Sequence, residues 1–165
     1  QKQLMLVKTL VEKLFQTLES IPNLKILAPN HKKRLSIFSF YLENTHFNLV
    51  VKLLNDRYGI QTRGGCSCAG TYGHFLLNVD QETSNKIKDQ ILEGCSTEKP
   101  GWIRLSMHPT IKDSELDFIC NSLKELCENI DEWSSDYSYD ATKNDYVHKT
   151  VVPTEKELVE GWFRI

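Results

Sequence analysis

Tyr58-Gly59-Ile60-Gln61-Thr62-Arg63-Gly64-Gly65-Cys66-Ser67-Cys68-Ala69-Gly70 is the stretch on which the reading of this chain turns. It closes a segment from His46 to Tyr58 that carries Phe47, Val50, Val51 and Leu54 on one face, the spacing of a helix. Gly59 stands at the C′ position, where a left-handed backbone is open to glycine and strained for most other residues. Ile60 to Arg63 predicts a short strand, running into a loop from Gly64 to Gly73. Glycines at a strand end let the backbone approach a ligand closely. Arg63 is able to hold an anion through two parallel hydrogen bonds. A guanidinium near a thiol also favours the thiolate, which is the reactive form. Cys68 is therefore a candidate nucleophile, and Cys66 a neighbour able to share or resolve its chemistry.

Local chemistry leaves three other readings of this loop open. Glycine-rich turns are common and cysteine is often a small buried apolar residue. Cys66, Cys68, His74 and either His108 or Cys95 offer zinc donors, but Cys-x-Cys is not the usual structural spacing and no second cysteine pair follows. No metal site is expected. Backbone amides around the glycines also allow an anion-binding nest.

Downstream, Asp80 predicts the cap of a helix that runs to about Leu92 and is closed by Gly94. Lys99-Pro100-Gly101 is a turn signal. Trp102 to Met107 follows as a strand, and Thr110 or Asp113 caps a long helix carrying Leu116, Ile119, Leu123, Leu126, Ile130 and Trp133. Arg104 sits in the middle of that otherwise apolar strand. It points either to solvent or into a cleft, where its planar fork suits a carboxylate. His74 and His108 are each more simply structural than basic catalysts, and Tyr137, Tyr139 and Tyr146 read as packing of a tail.

Upstream, Val7, Val11, Leu14 and Leu18, with Leu4, Leu10 and Phe15, form a helical stripe stopped by Pro22. That helix covers this domain's own sheet or bridges to an upstream domain. Leu24 to Leu27 and Arg34 to Leu42 are strand candidates, with Lys32, Lys33 and Arg34 as a solvated turn. The sum is an α+β domain: a small, mostly antiparallel sheet with helices packed chiefly on one face.

The chain has 165 residues, enough for one domain with a real core. A net charge of −2 argues against a nucleic-acid partner. No apolar run reaches the roughly 20 residues of a membrane span, and the N-terminus has no signal-peptide pattern. Five cysteines, an odd number in a chain of this size, read as the reduced thiols of a cytoplasmic protein. The chain opens on Gln1 instead of Met, as a piece of a longer protein would.

The loop around Cys68 and the run Gly101-Trp102-Ile103-Arg104-Leu105-Ser106, followed by Pro109, Thr110 and a long helix, together resemble class V aminotransferases and the related cysteine desulfurases. These enzymes depend on pyridoxal 5′-phosphate (PLP). In one desulfurase group the loop reads Arg-Thr-Gly-His-His-Cys-Ala. Arg63, Gly65, Cys68 and Ala69 match it, while Cys66 and Ser67 stand where that group has histidines. The segment between Cys68 and Arg104 is also much longer here, with room for a whole helix.

The resemblance covers roughly residues 1–133. It implies the small C-terminal domain of a fold-type I PLP enzyme, with residues 1–21 as the helix linking it to a missing large domain. Beyond the resemblance, the composition of 134–165, dominated by Ser, Asp, Tyr and Asn through Asp145, predicts an extended or loop-like tail with a short acidic helix from Thr154. The large domain, upstream in the same chain, would hold PLP on a Schiff-base lysine, and the whole protein would be a homodimer. Arg104, with Arg63 beside it, would bind the carboxylate of an amino-acid substrate. Cys68 would be the catalytic thiolate that takes sulfur from L-cysteine as a persulfide. The alternatives are a class V aminotransferase or lyase without persulfide chemistry, and a non-catalytic metal-binding or interaction domain. On its own this piece would be inactive and colourless.

Overall fold

In the computed structural model, residues 2–66 and 70–150 are described, with side chains from Val7 onward. The candidate nucleophile Cys68 and the helix expected from Thr154 lie outside the described residues.

The elements run α1 (Lys2–Ser20), β1 (Leu24–Ile26), β2 (Ile37–Leu42), α2 (Phe47–Tyr58), β3 (Arg63–Gly65), α3 (Gly70–Leu76), α4 (Gln81–Leu92), β4 (Trp102–Ser106), α5 (Asp113–Ser134), β5 (Tyr137–Asp140) and β6 (Asp145–His148). Four strands form one sheet in the order β1-β2-β4-β3, every pair antiparallel. This is the α+β architecture expected.

Side chains alternate across each strand, and the alternation splits the sheet into two unlike faces. Phe38, Phe40, Leu42, Ile103 and Leu105 point to one face and are buried. Leu10, Leu14 and Leu18 of α1, Val50, Leu53 and Leu54 of α2, and Leu116, Leu123 and Leu126 of α5 join them in one core. The stripe of α1 is thus buried against this domain's own sheet and α5. Ser39, Arg104 and Arg63 point to the opposite face. Among the described residues, helices cover only the end of it, where Gly73 of α3 lies against Trp102.

Capping follows the sequence closely. Gly59 closes α2 at φ 67°, its N–H bonding back to the last turn. Asp80 accepts from the Thr83 N–H at 2.7 Å and opens α4. The start of α5 differs by a residue or two from both expected caps. Lys112 takes the cap position and its backbone N–H bonds to the Glu115 carboxylate at 2.8 Å, half of a capping box.

Three expectations are corrected. Strand β2 starts at Ile37, not Arg34, because Arg34 folds back. Its guanidinium bonds to the carbonyls of His31 and Ala28 and lies over the rings of Phe15 and Phe38 (4.9 and 5.4 Å), so it is no solvated turn residue. Strand β3 begins only at Arg63, later than Ile60. The stretch read as loop to Gly73 is helical from Gly70.

The segment after α5 forms a hairpin, β5–β6, that packs along α2 from its first turn to its last. Tyr137 is buried in the core and donates to Asp56 at 3.0 Å. Asn48 Nδ2 donates to the Asn144 carbonyl. His46, the N-cap of α2, accepts the Asn48 N–H on Nδ1 and stacks on Phe47 (4.5 Å), with Tyr139 and Tyr146 around it. That bond places the ring proton on Nε2 of a neutral imidazole.

Burial holds the pKa of His46 below its ordinary value. A histidine whose folded pKa is depressed favours folding fully above its unfolded value and loses that contribution as pH falls through the folded one. Melting curves recorded from pH 7.5 to 5 are therefore expected to shift to lower temperature on acidification. His46→Asn, which keeps a capping side chain without the titration, is expected to flatten that shift. An equal shift in both proteins would place the sensitivity elsewhere.

Candidate active site

The open face of the sheet is built by register. Arg104 on β4 pairs with Ser39 on β2 to one side and with Arg63 on β3 to the other. Side chains of directly opposed residues are neighbours on the same face, with Cβ atoms roughly 4.5–5.5 Å apart. The row Ser39–Arg104–Arg63 thus carries two guanidiniums and a hydroxyl side by side. Arg104 is half-buried and Arg63 is exposed. Among the described residues neither arginine side chain makes an ion pair or a hydrogen bond. Like charges opposed across strands repel, so this face favours an anion. Its forked donors suit a carboxylate held by two parallel bonds.

Gly64 does a different job from the one expected of the loop's glycines. A Cβ at Gly64 would lie 2.7 Å from the Phe47 ring, and one at Gly101 would lie 2.5 and 2.6 Å from the same ring. Phe47, in the first turn of α2, fills the space those side chains would take. At Gly64 and Gly101 the missing side chains admit a helix, not a ligand. Gly65 has φ 106°, a conformation that glycine alone adopts readily.

Cys66 extends the ladder at the end of β3. Its Sγ donates to the Pro100 carbonyl at 2.8 Å, and its side chain lies against Gly73. Burial pushes its thiol pKa up, with Lys99 pulling weakly the other way, so Cys66 stays protonated near neutral pH. It also borders a groove of about 720 Å³ between α3 and α4, lined by His74, Ser84 and the exposed apolar Phe75, Ile91 and Leu92 among others.

The remaining candidates are not drawn into one cluster. His74 Nδ1 is 2.9 Å from the Ser84 hydroxyl, and His108 Nδ1 is 2.7 Å from the Thr110 hydroxyl beyond the other end of β4. Among the described residues no three histidine, cysteine or acidic side chains converge as metal ligands. The described helices include none long and apolar enough to cross a membrane.

One participant escaped the sequence reading: Ser39, although a hydroxyl between Phe38 and Phe40 marks the face that is not core. Cys95, weighed from the sequence only as a zinc donor, is half-buried, its Sγ lies 3.3 Å from the Thr97 hydroxyl, and that bond lowers its pKa. Cys127, by contrast, is pushed up to about 12 by burial and by Glu128. Timed alkylation with peptide mapping at pH 7.5 is expected to modify Cys95 before Cys66 and Cys127. Labelling of Cys127 ahead of Cys95 would contradict this order. A labelling test of Cys68 therefore needs a Cys95→Ser background.

No curated protein sequence matches this chain. Among solved structures it is similar to the cysteine desulfurase CsdA (S-sulfonic acid) from Escherichia coli, with 18% identity and a TM-score of 0.48. That likeness covers 76% of this chain and 25% of the other, so this chain spans about a quarter of that protein's length. The family described as aminotransferase class-V matches residues 4–119, from within α1 to the second turn of α5 and across both arginine-bearing strands. With more than half of its length matched, the chain belongs to the class V aminotransferase family.

Proposed function

We propose that this chain, residues 1–133 at least, is the small domain of a longer, homodimeric, cytoplasmic PLP enzyme that acts on an amino acid, and that its reaction is the removal of sulfur from L-cysteine. The observation that carries the substrate half of this reading is the pairing of Arg63 with Arg104 on the open face, without a counter-ion among the described residues. An amino-acid carboxylate supplies the missing charge. Arg104, half-buried in the centre of the row, is the anchor, and Arg63 at the edge is the second donor.

The cofactor itself does not belong to this face. The sheet's one lysine among the described strands is Lys25 on β1, two strands from Arg104 and ion-paired with Glu43 at 3.6 Å. These residues do not fit PLP, which the family takes as its electron sink. It would be held by the upstream large domain of the parent chain.

Cys68 is the proposed sulfur carrier. Its thiolate attacks the sulfur of bound L-cysteine, forming an S–S bond. The substrate's C–S bond breaks, and its carbon retains the electron pair and gains a proton, leaving alanine and a persulfide on Cys68. Support comes from the match of Arg63, Gly65, Cys68 and Ala69 to the desulfurase loop and from the family membership.

The test is the full-length enzyme incubated with PLP and L-cysteine while alanine and sulfide are followed. Arg104→Ala is expected to raise KM by roughly 10- to 150-fold, corresponding to about 1.5–3 kcal/mol for a charged hydrogen bond. Cys68→Ser is expected to abolish alanine formation. If Cys68→Ser is neutral while Arg104→Ala still weakens substrate binding, the enzyme is an aminotransferase or lyase without a persulfide. If neither variant changes anything, the arginine face does not bind the substrate.

A further inference from the structure

Strand β3 is an unpromising place for an arginine that must be held in register. It has three residues, lies at the sheet edge and places Arg63 directly opposite another cation. A slip of one residue would turn Arg63 to the other face of the sheet. The backbone ladder cannot be lengthened much to prevent this. The last pair is Gly65 with Trp102, and two residues before Trp102 stands Pro100, which has no N–H to give. The Pro100 carbonyl sits in this half-buried corner and its bonding partner is a side chain. Cys66 Sγ donates to it at 2.8 Å, across 34 positions of sequence.

We propose that Cys66 is a positioning residue: its thiol bond to the Pro100 carbonyl adds a side-chain rung past the end of β3 and keeps Arg63 opposite Arg104. The inference rests on the reading of the arginine pair as the carboxylate site, and it gives Cys66 a role other than resolving thiol. The same burial that holds the thiol protonated keeps it a donor, since a thiolate has no proton to share. Gly73 fits the role, because a Cβ there would come within 3.2 Å of Cys66 Sγ and press on the bond. Serine keeps a donor at nearly the same reach, whereas alanine leaves the carbonyl without one.

The experiment compares Cys66→Ala, Cys66→Ser and Arg104→Ala in the full-length enzyme, with two readouts. Hydrogen exchange is expected to accelerate about five- to tenfold in residues 63–65 of Cys66→Ala, with the β2–β4 amides unchanged, and to return to within about twofold of wild type in Cys66→Ser. KM for the amino acid is expected to rise about fivefold or more in Cys66→Ala and to be restored by serine. Unchanged exchange in β3 overturns the proposal, as does faster exchange with unchanged KM while Arg104→Ala raises it. If Arg104→Ala leaves KM unchanged, the carboxylate reading fails and the exchange of β3 alone judges the rung.

Discussion

Phe40→Ala is expected to lower the stability of the chain by about 3–5 kcal/mol, the largest effect of any single truncation in the sheet. Phe40 has no solvent exposure and stands at the centre of the core face, paired with Ile26 on one side and Ile103 on the other. Helices α1, α2 and α5 close over this core face, so the neighbours have little freedom to collapse into the space left. Phe38, equally buried, sits nearer Phe15 and Arg34, which offer some adjustment. A domain of this size has only about 5–15 kcal/mol in total, so the variant would be close to its threshold. Urea unfolding gives the number. Leu35→Ala is the control: Leu35 is 73% exposed, and a change within about 0.5 kcal/mol is expected. Similar midpoints for the two variants would mean that the sheet face is not the core.

Gly101→Ala is expected to cost up to about 3 kcal/mol for the addition of a single methyl group. The new carbon would stand 2.5 and 2.6 Å from the ring of Phe47 and 2.9 Å from the Cα of Gly65. Neither neighbour yields easily, since one is a buried ring and the other is backbone. The damage should be local to the corner where β3, β4 and the start of α2 meet. Phe47→Ala removes the obstacle, at about 3–5 kcal/mol of its own. The double variant is therefore expected to be more stable than the sum of the single changes predicts, by roughly 0.5–3 kcal/mol. Additivity within a few tenths of a kcal/mol would show that the glycine is not there to admit the ring.

Most of the fold was legible because its signals are local. The stripes of α1 and α5, the Asp80 cap, the Gly59 stop and the apolar run of β2 each declare themselves within a few residues. The limits of β2 and β3 were not legible, because Arg34 leaves its strand for contacts with Phe15 and Phe38, and the start of β3 is set by its pairing with β4. The site divides in the same way. Arg104 and Arg63 stood out as charges within apolar or glycine-rich runs. That they oppose each other is a matter of register between strands 41 positions apart in sequence (104 − 63), which no periodicity reveals. Gly64 was read as room for a ligand because the sequence gives no sign that Phe47 occupies that room.

The hairpin after α5 has a consequence for the order in which the molecule is completed. Both ends of α2 are tied to residues far along the chain: Asn144 lies 96 positions from Asn48, and Tyr137 lies 81 positions from Asp56. Closing loops of that length is slow compared with winding a helix. During synthesis the chain leaves the ribosome from its N-terminal end. Helix α2 is therefore made with its own His46 as its cap, and His46 and Phe47 wait without the aromatic wall of Tyr139 and Tyr146 until the last described strand arrives. The arginine corner is built on that same turn, so it is assembled late, when nearly all of the described chain has been made.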